Sequence, residues 1–425
     1  MTPEQILTLV VLAGVLAAFV LDKGRTDVVA LTGAAALLLL GVVEPWDVQR
    51  AFASPAIIAL ASLFVLGRAL ELTGVLRVLI VSAGRLVRRI GRPALIGLLG
   101  GVGAASAFIN NTPVVMLAAP VVRDMAKRIK VDPRQVLIPL SYVSIMAGSC
   151  TLIGTSTNLL VDDMAEAAGL RRFGIFEITP VGLTILVAGV AYMAFFGWRL
   201  LPGRNGEDGP APGEIVPAEP HERYAFRPVR AAVSVLMFAA VITVAALGWA
   251  PIAAAAFAGA VGLVLLRVIS INDAYSGLKP DILLLIAGML VIGLALETTG
   301  LANSAMSRLT AWLAPFHPIV ALAVLYLVTL FLTEILSNAG VAVLVTPLAV
   351  ALGQALFVDP RPFVVAVMMA ASAAFATPVG YQTNAIVYSV GRYRYMDFVR
   401  VGLPLNFVTW LAGMWAIPTF FPFTP

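Results

Sequence analysis

Two long apolar stretches of this chain are each broken in the middle by a run of hydrogen-bonding residues. The first covers residues 93–122 and contains INNTP, and the second covers 318–352 and contains LSNAG. Backbone N–H and C=O groups without partners are very costly inside a lipid bilayer, so such breaks survive there only where they line a cavity in the protein. The two breaks therefore predict polar sites at membrane depth.

The rest of the chain consists largely of apolar runs long enough to cross a bilayer core, which takes about 20 residues. Hydrophobic residues make up 60% of the chain and charged residues 12%, far from the balance of a soluble domain. The sequence predicts an all-α polytopic membrane protein with about 11 transmembrane helices, two re-entrant hairpins and two broken helices. The apolar runs of spanning length lie near 5–21, 28–43, 56–82, 136–161, 178–200, 229–248, 250–268, 281–300, 363–390 and 401–421.

A hydrophilic segment, residues 203–227, is rich in Gly, Pro and charge, and we interpret it as a cytoplasmic linker. It separates residues 1–202 from residues 228–425. The first half contains the predicted hairpin 93–122 and a broken helix near 136–170. The second half contains the hairpin 318–352 and a broken helix near 363–390.

The two halves share landmarks at a nearly constant spacing. GRALELTGVL begins at Gly67 and GLALETTGLA at Gly293, an offset of 226. Asn158 of GTSTN and Asn384 of GYQTN are also 226 residues apart. Asn111 and Pro120 match Asn338 and Pro347 at an offset of 227. Internal repeats of this kind are typical of secondary transporters, so we predict two inverted-topology repeats.

Basic residues predict the orientation, because Lys and Arg concentrate in cytoplasmic loops. The first broken stretch has basic residues on both sides, which predicts a hairpin that enters and leaves on the cytoplasmic face. The second has only Arg308 before it and Arg361 after it, which predicts a hairpin open to the outside. The prediction is an inner (plasma) membrane protein with its N-terminus outside. The basic residues around the first stretch are Arg85, Arg88, Arg89, Arg92, Arg123, Lys127, Arg128, Lys130 and Arg134.

The first break is suited to start a helix inside the membrane. Thr112 is the predicted N-cap and Pro113 the first helical residue. The free N–H groups and the dipole of a helix start favour an anion, and carbonyl oxygens at the same turn can hold sodium. The loops 154–158 and 377–384 are expected to face the two breaks. The alternative is that these Ser, Thr and Asn residues only bind neighbouring helices.

Glu334 is an ionisable residue three positions before the second break, where the first half has Ala107. Such a residue at membrane depth is a candidate for cation binding or for carrying a coupling proton. The alternative is a structural carboxyl that caps backbone N–H groups. Glu71 and Glu297 are predicted to lie at helix ends, and Arg68 is predicted to reach the interface without contacting substrate.

The motifs LIGTSTNLLV and ATPVGYQTNAIVYSVGRYRYMDFVRVGLPLN, with the Asn-Asn-Thr and Ser-Asn breaks, closely resemble the divalent anion–sodium symporters. That family belongs to the ion transporter superfamily with citrate-transporter-like domains, and the resemblance covers nearly the whole chain. It implies a homodimer in which a transport domain moves against a static scaffold, the elevator form of alternating access.

The same resemblance assigns sites. A first sodium site would involve Ser106, Asn110, Asn111 and Gly154. A second would involve Thr333, Ser337, Asn338 and the loop from Thr377 to Gly380. The residues implied to contact substrate are Asn111, Thr112, Asn338, Thr155 and Thr383. The first break reads Asn-Asn-Thr where the family usually has Ser-Asn-Thr, and the second reads Ser-Asn-Ala. The missing hydroxyl suits a small anion such as sulfate better than a dicarboxylate.

Other classes of function find little support. Cys150 is the single cysteine, and the two histidines, His221 and His317, are far apart in the sequence, so neither a metal cluster nor a Ser–His pair is predicted. The net charge of +5 reflects cytoplasmic loops rather than a nucleic-acid surface. We expect no enzyme activity and no cofactor, with sodium serving as the coupling ion.

The leading hypothesis is secondary active transport, in which sodium drives symport of sulfate or a dicarboxylate across the lipid bilayer. A second hypothesis keeps the fold and changes the cargo. The protein would then be a sodium–proton antiporter or an oxyanion exporter, with Glu334 in proton coupling.

Overall fold

The computed structural model describes residues 2–20, 25–75, 78, 92–201, 226–301, 317–334, 336–378 and 380–424. Within these ranges every regular element is a helix and there is no strand, so the all-α prediction is confirmed. Nearly all of the predicted linker 203–227, including His221, and Arg308 lie outside the described residues. Arg85, Arg88 and Arg89 also lie outside them.

The first half contains nine helices within the described residues. The last of them, α9, continues through a π-helical turn to Leu200. The nine are α1 (Pro3–Val20), α2 (Thr26–Leu39), α3 (Pro45–Phe52), α4 (Pro55–Leu72), α5 (Arg92–Ser106), α6 (Asn111–Arg128), α7 (Arg134–Gly148), α8 (Ser156–Ala167) and α9 (Thr179–Tyr192).

The second half also contains nine helices in the part of the chain that the structure describes. They are α10 (Pro228–Ala246), α11 (Ile252–Leu265), α12 (Ile271–Gly277), α13 (Pro280–Thr298), α14 (Pro318–Thr333), α15 (Asn338–Ala355), α16 (Arg361–Ala371), α17 (Gln382–Gly391) and α18 (Tyr395–Phe420).

Four short segments, which are non-helical at the residues that the structure describes, divide pairs of these helices. We call residues 107–110 the first tip, residues 334–337 the second tip, residues 149–155 the first loop and residues 372–381 the second loop. The tips separate α5 from α6 and α14 from α15, and the loops separate α7 from α8 and α16 from α17.

Five helical stretches of the described residues are long and apolar enough to cross a membrane, and a sixth forms if α12 and α13 count as one span bent by 57°. This makes the chain a multi-pass membrane protein. The predicted total of about 11 spans stays a prediction. The five stretches are Pro45–Leu72, Thr179–Leu200, Pro228–Ala246, Asn338–Ala355 and Tyr395–Phe420.

One of these five, α15, follows the second break and is the second arm of the predicted hairpin 318–352. It runs for 18 residues and ends at Ala355, three residues beyond the predicted boundary. At a rise of about 1.5 Å per residue it nearly matches the thickness of the bilayer core. Length alone therefore does not distinguish a hairpin arm from a span here, and the re-entrant topology stays a prediction.

Helix packing follows the same plan in both halves. The helices α5 and α6 both pack against α7, and α14 and α15 both pack against α16. The second arm of each tip also crosses to the other half, because α6 contacts α17 and α15 contacts α8. The tips and loops of the two halves are thereby assembled into one helical group.

Helices α1–α4 and α10–α13 form a second group, which has its own contacts between the two halves. Here α2 packs against α13, and α4 packs against α11. The two groups meet where α4 and α13 contact α8 and where α13 contacts α15.

An aromatic cluster holds the second loop in place. The ring of Tyr142 on α7 meets the rings of Phe375 and Phe398 edge-on, with centroids 5.1 and 6.3 Å away. The Tyr142 hydroxyl donates to the carbonyl of Phe375 over 2.6 Å. All three rings are fully buried, and each such aromatic pair contributes about 1 kcal/mol beyond its burial. The irregular backbone of the second loop is therefore fixed by packing from α7 and α18.

Candidate functional site

The first tip ends where α6 begins at Asn111. The N-cap is Asn110, whose side-chain oxygen accepts the N–H of Thr112 over 3.2 Å. This corrects the predicted N-cap, Thr112, by two residues. An asparagine at this position can accept from the N–H two residues ahead, which frees the Thr112 hydroxyl for another contact.

Backbone and hydroxyl oxygens meet between the first tip and the first loop. The hydroxyl of Thr151 donates to the carbonyl of Ala107 and accepts the N–H of Gly154 over 3.1 Å. A Cβ atom on Gly154 would lie 2.7 Å from the Ala107 carbonyl oxygen and 2.3 Å from that of Gly148. Only glycine permits this approach, which brings several oxygens around one point.

The second tip and second loop repeat these contacts. The hydroxyl of Thr377 donates to the carbonyl of Glu334 over 3.0 Å and accepts the N–H of Gly380 over 3.0 Å. A Cβ on Gly380 would lie 2.9 Å from the Thr377 hydroxyl and 3.1 Å from the carbonyl oxygen of Thr333. The second tip's helix start is capped by Ser337, whose hydroxyl accepts the N–H of Gly340.

Two asparagines hold the loops in equivalent ways. The side-chain amide of Asn158 donates to the carbonyl of Thr151 over 3.0 Å, and that of Asn384 donates to the carbonyl of Thr377 over 3.0 Å. These pairs are 226 residues apart in the sequence. The landmarks of the sequence repeat therefore correspond to matching hydrogen bonds.

Three helix starts converge on one tyrosine hydroxyl. The side-chain amide of Asn111 donates to Tyr381 over 2.8 Å, and the same hydroxyl interacts with the side chain of Thr155. Next to them, the Thr112 hydroxyl donates to Gln382 over 2.9 Å. The N-termini of α6, α8 and α17 thus lie together. The other amide atom of Asn111, its side-chain oxygen, is buried without a hydrogen-bond partner.

The structure does not bring every predicted site residue to this point. Ser106 is buried, and its hydroxyl is hydrogen-bonded to that of Ser144 on α7. Thr383 is also buried, 2.8 Å from the hydroxyl of Ser141. Asn338 lies at the second tip, where its side-chain oxygen is 2.9 Å from the Thr333 hydroxyl.

A cavity of about 270 Å³ opens between the first tip and α4. Arg68 lines this cavity and forms an ion pair with Glu71 over 2.8 Å. Its predicted reach to the membrane interface stays a prediction. Lys279 lines it too, with its ammonium 5.7 Å from the centre of the Phe64 ring. Two positive groups and one negative group therefore face a helix start. The polar residues on the opposite side are Asn110, Thr112, Gly154 and Ser156.

Glu334 caps backbone groups of the second loop. One carboxyl oxygen accepts the N–H groups of Phe375 and Ala376, each over 2.8 Å, and the amide of Asn406 over 2.7 Å. This geometry corresponds to the capping role that the sequence left open. Glu71 lies at the end of α4, and the side chain of Glu297 lies outside the described residues.

Sequence reasoning missed several residues that the structure places at the site. Tyr381 and Gln382 were overlooked although they precede the motif threonine Thr383 directly, because neither side chain is typical of a sodium ligand. Thr151 was overlooked because it precedes the GTSTN motif, although the match to Thr377 at an offset of 226 was a usable signal.

Comparison with known proteins identifies a family of transporters. The family model described as Citrate transporter matches residues 16–367. The chain belongs to this citrate transporter family, and the family resemblance of its motifs is confirmed.

Relatives carry transporter names. The uncharacterized transporter sll0640 of Synechocystis sp. is 26% identical over 96% of this chain and 95% of its own length. The probable sodium/sulfate cotransporter 3 of Chlamydomonas reinhardtii is 37% identical, over 26% of this chain and 13% of that protein.

Two solved structures share the fold. The YdaH transporter of Alcanivorax borkumensis superposes with a TM-score of 0.67 at 14% identity, covering 97% of this chain and all of its own. MtrF of Neisseria gonorrhoeae superposes with a TM-score of 0.61 at 12% identity, covering 95% of this chain and 94% of its own.

Proposed function

We propose that this protein is a secondary active transporter that couples the movement of a small divalent anion, sulfate or a dicarboxylate, to sodium. The observation that carries the proposal is the pair of matching oxygen clusters around Gly154 and Gly380. Each joins a carbonyl at a helix end, a threonine hydroxyl and a loop that only glycine can bring so close. Carbonyls at broken helices are typical ligands for sodium in transporters.

The anion would bind where the starts of α6, α8 and α17 converge. Free N–H groups and helix dipoles favour negative charge, and the site contains hydroxyl and amide donors in Thr112, Thr155 and Asn111. The cavity wall adds Arg68 and Lys279, whose charges exceed that of Glu71. Asn338, Ser337 and Thr383 would contribute from the second half in another state of the cycle.

Sulfate is favoured by two considerations. The second break reads Ser-Asn-Ala, so it lacks the hydroxyl that would contact a carboxylate group of a dicarboxylate. A relative over a quarter of the chain is named as a probable sodium/sulfate cotransporter. We therefore rank sulfate ahead of a dicarboxylate.

Movement would follow the elevator scheme. The group that holds both tips and both loops would slide against the group formed by α1–α4 and α10–α13. The second group would also form a homodimer in the inner membrane, with residues 203–227 on the cytoplasmic side. Distance measurements between labels on α4 and α8 in two ion conditions test this movement.

Uptake into proteoliposomes tests the function. Labelled sulfate and labelled succinate are each offered with an inward gradient of sodium, of potassium or of protons. We expect sulfate uptake that needs sodium and exceeds succinate uptake. Uptake that is indifferent to sodium contradicts sodium coupling, and a steep pH dependence that is lost in Glu334→Gln favours the antiporter or exporter hypothesis.

A further inference from the structure

The cavity between the first tip and α4 has both polar and apolar linings. On three of its helices, an apolar lining residue lies about one helical turn from a polar one. Residues three or four apart share one face of a helix, so each of these helices presents both kinds of side chain to the same space. The pairs are Arg68 and Phe64 on α4, Thr112 and Met116 on α6, and Ser156 and Leu159 on α8.

This cavity is larger than an inorganic oxyanion needs. Its volume is about 270 Å³, whereas a cavity of about 150 Å³ already holds a benzene ring. Sulfate has fewer non-hydrogen atoms than benzene, so it leaves much of the space unfilled. More than half of the residues around the cavity have apolar side chains, which offer water no hydrogen bonds. The unfilled part therefore suits an apolar group.

Positive charge at the cavity exceeds negative charge by one group. Arg68 is bound to Glu71 over 2.8 Å, so these two charges largely cancel. Among the residues that the structure describes, Lys279 has no carboxylate within ion-pair distance, and its ammonium lies 5.7 Å from the centre of the Phe64 ring. One remaining positive charge balances one anionic group of a ligand, and a second anionic group would have no counterpart.

We propose that this cavity binds organic anions that carry one charged group and one apolar group, of which the alkanesulfonates are the simplest. The sulfonate lies between Lys279 and the starts of α6 and α8, and the alkyl chain contacts Phe64, Met116 and Phe238. A sulfonate is a sulfate in which carbon replaces one oxygen, so the inference rests on the proposed function for the charged group and adds the apolar one. A second charge would lie against apolar side chains without water, which is costly.

The alternative is that the cavity is only a gap between two groups of helices that move past each other. Its lining comes from α6 and α8 on one side and from α4 and α10 on the other. A gap of that kind has no preference for the length of an alkyl chain. Chain length therefore separates a binding site from a gap.

Calorimetry of the purified full-length protein in lipid nanodiscs, at a constant saturating sodium concentration, tests the proposal without transport. The probes are methanesulfonate, propanesulfonate and pentanesulfonate, and empty nanodiscs correct for partition into lipid. We expect the dissociation constant to fall about fourfold for each added methylene, the factor that corresponds to burial of this group. The disulfonate of pentane should bind more weakly than pentanesulfonate, because its second charge meets the apolar side chains.

A variant of Phe238 tests the apolar lining separately from the charged group, because this residue lies on a different helix from Lys279 and from both helix starts. Phe238→Ala should raise the dissociation constant of pentanesulfonate about fivefold and leave that of methanesulfonate unchanged. The matched control is Leu236→Ala, on an exposed leucine of the same helix outside the cavity lining, which should change neither.

Equal dissociation constants along the wild-type series overturn the proposal, and so does the absence of binding by every alkanesulfonate. A disulfonate that binds as tightly as pentanesulfonate also overturns it, as does a chain-length dependence that Phe238→Ala leaves unchanged. Failure of sodium-driven sulfate uptake leaves the expected chain-length dependence in place. Equal constants along the series leave sulfate uptake as predicted, so the two failures are distinguishable.

Discussion

The side-chain amide of Asn111 donates to the hydroxyl of Tyr381 across 2.8 Å and thereby joins the helix start of one half to the broken helix of the other. The contact leaves the Asn111 side-chain oxygen buried and unpaired. An oxygen held in this way is available to a ligand that brings positive charge or a donor. The contact is thus both a structural link and part of the candidate binding surface.

Replacing Asn111 or Asn338, the residues that directly follow the two tips, is expected to abolish transport. Asn111→Ala removes the bond to Tyr381 and the vacant oxygen, and Asn338→Ala removes the oxygen beside Thr333. Uptake of sulfate into proteoliposomes should fall to background in both variants, while membrane insertion and elution on size exclusion remain as in the wild type. Wild-type rates of sulfate uptake in both variants would show that these asparagines serve packing and not substrate binding.

Tyr381→Phe is a milder change at the same place. It removes one hydroxyl without opening a cavity, and the loss of a hydrogen bond costs about 1 kcal/mol. We expect a Michaelis constant for the anion about fivefold higher, because 1 kcal/mol corresponds to about that factor. Kinetics of uptake at saturating sodium measure it, and Tyr395→Phe, on an exposed tyrosine of α18, is the control.

A methyl group at Gly154 should destroy the first oxygen cluster. The new Cβ would lie 2.3 Å from the Gly148 carbonyl oxygen, a contact that the backbone must move to relieve. We expect Gly154→Ala to lose sodium activation of uptake and Gly380→Ala to lose less, since its closest atom is 2.9 Å away. Gly101→Ala, on α5 with nothing within 4 Å of its Cβ, is the matched control. Equal sodium activation in all three variants contradicts the proposed sodium sites.

Removing a positive charge from the cavity wall should weaken anion binding. Lys279→Gln takes one charge from the wall opposite Thr112, and a single partly screened charge contributes about 1 kcal/mol. The Michaelis constant for sulfate should rise about fivefold, and less at high ionic strength. Arg199→Gln removes an exposed charge outside the cavity and should change nothing. An unchanged Michaelis constant for sulfate in Lys279→Gln would show that this side of the cavity does not contribute to anion binding.

The ion pair between Glu177 and Arg361 should make stability depend on pH. Arg361 donates to Glu177 over 2.7 Å and stacks on the Phe173 ring at 4.3 Å. Burial acts to raise the pKa of Glu177, but the N–H of Gly174 and the Arg361 guanidinium outweigh it and hold this pKa below its ordinary value. The stabilisation is therefore present above the unfolded-state pKa and disappears as pH falls through the folded-state pKa.

Glu177→Gln should lower the melting temperature slightly at pH 7, by the equivalent of about 1 kcal/mol, with the difference from wild type vanishing in acid. Thermal unfolding in detergent across this range measures it. Asp124→Asn, on an exposed carboxylate of α6, is the control. A difference that persists at low pH contradicts the assignment to this carboxylate.

The sequence predicted the helical class and the breaks near Asn111 and Asn338, because polar residues inside apolar runs are a strong local signal. It did not predict which groups meet across the halves. Tyr381 has one polar side-chain group, its hydroxyl, so nothing in its own segment indicates that it accepts a hydrogen bond from Asn111. Arg68 shows the same difficulty, since a long basic side chain on an apolar helix has the same sequence signal at an interface or in a cavity wall.

The pattern of basic residues indicates membrane orientation where these residues are unpaired, and it is less informative where they form ion pairs. In the predicted topology the pair Arg171–Arg172 falls on the outer side, against the preference of basic residues for cytoplasmic loops, and the contacts of Arg172 explain this. The structure pairs it with Asp163 over 3.3 Å and with Glu166 over 2.5 Å, so its charge is largely neutralised. A neutralised arginine exerts little bias on orientation, and counting basic residues without their partners overstates it.

The crossing of α6 onto α17 and of α15 onto α8 also constrains how the protein is made. While the ribosome has released only the first half, the polar turn before Asn111 has no Tyr381 to shield it. The first half must therefore remain incompletely assembled in the bilayer, stabilised by local contacts or a chaperone, until the second half is synthesised. If the gene is split at the central linker, the two polypeptides should assemble only when they are synthesised together.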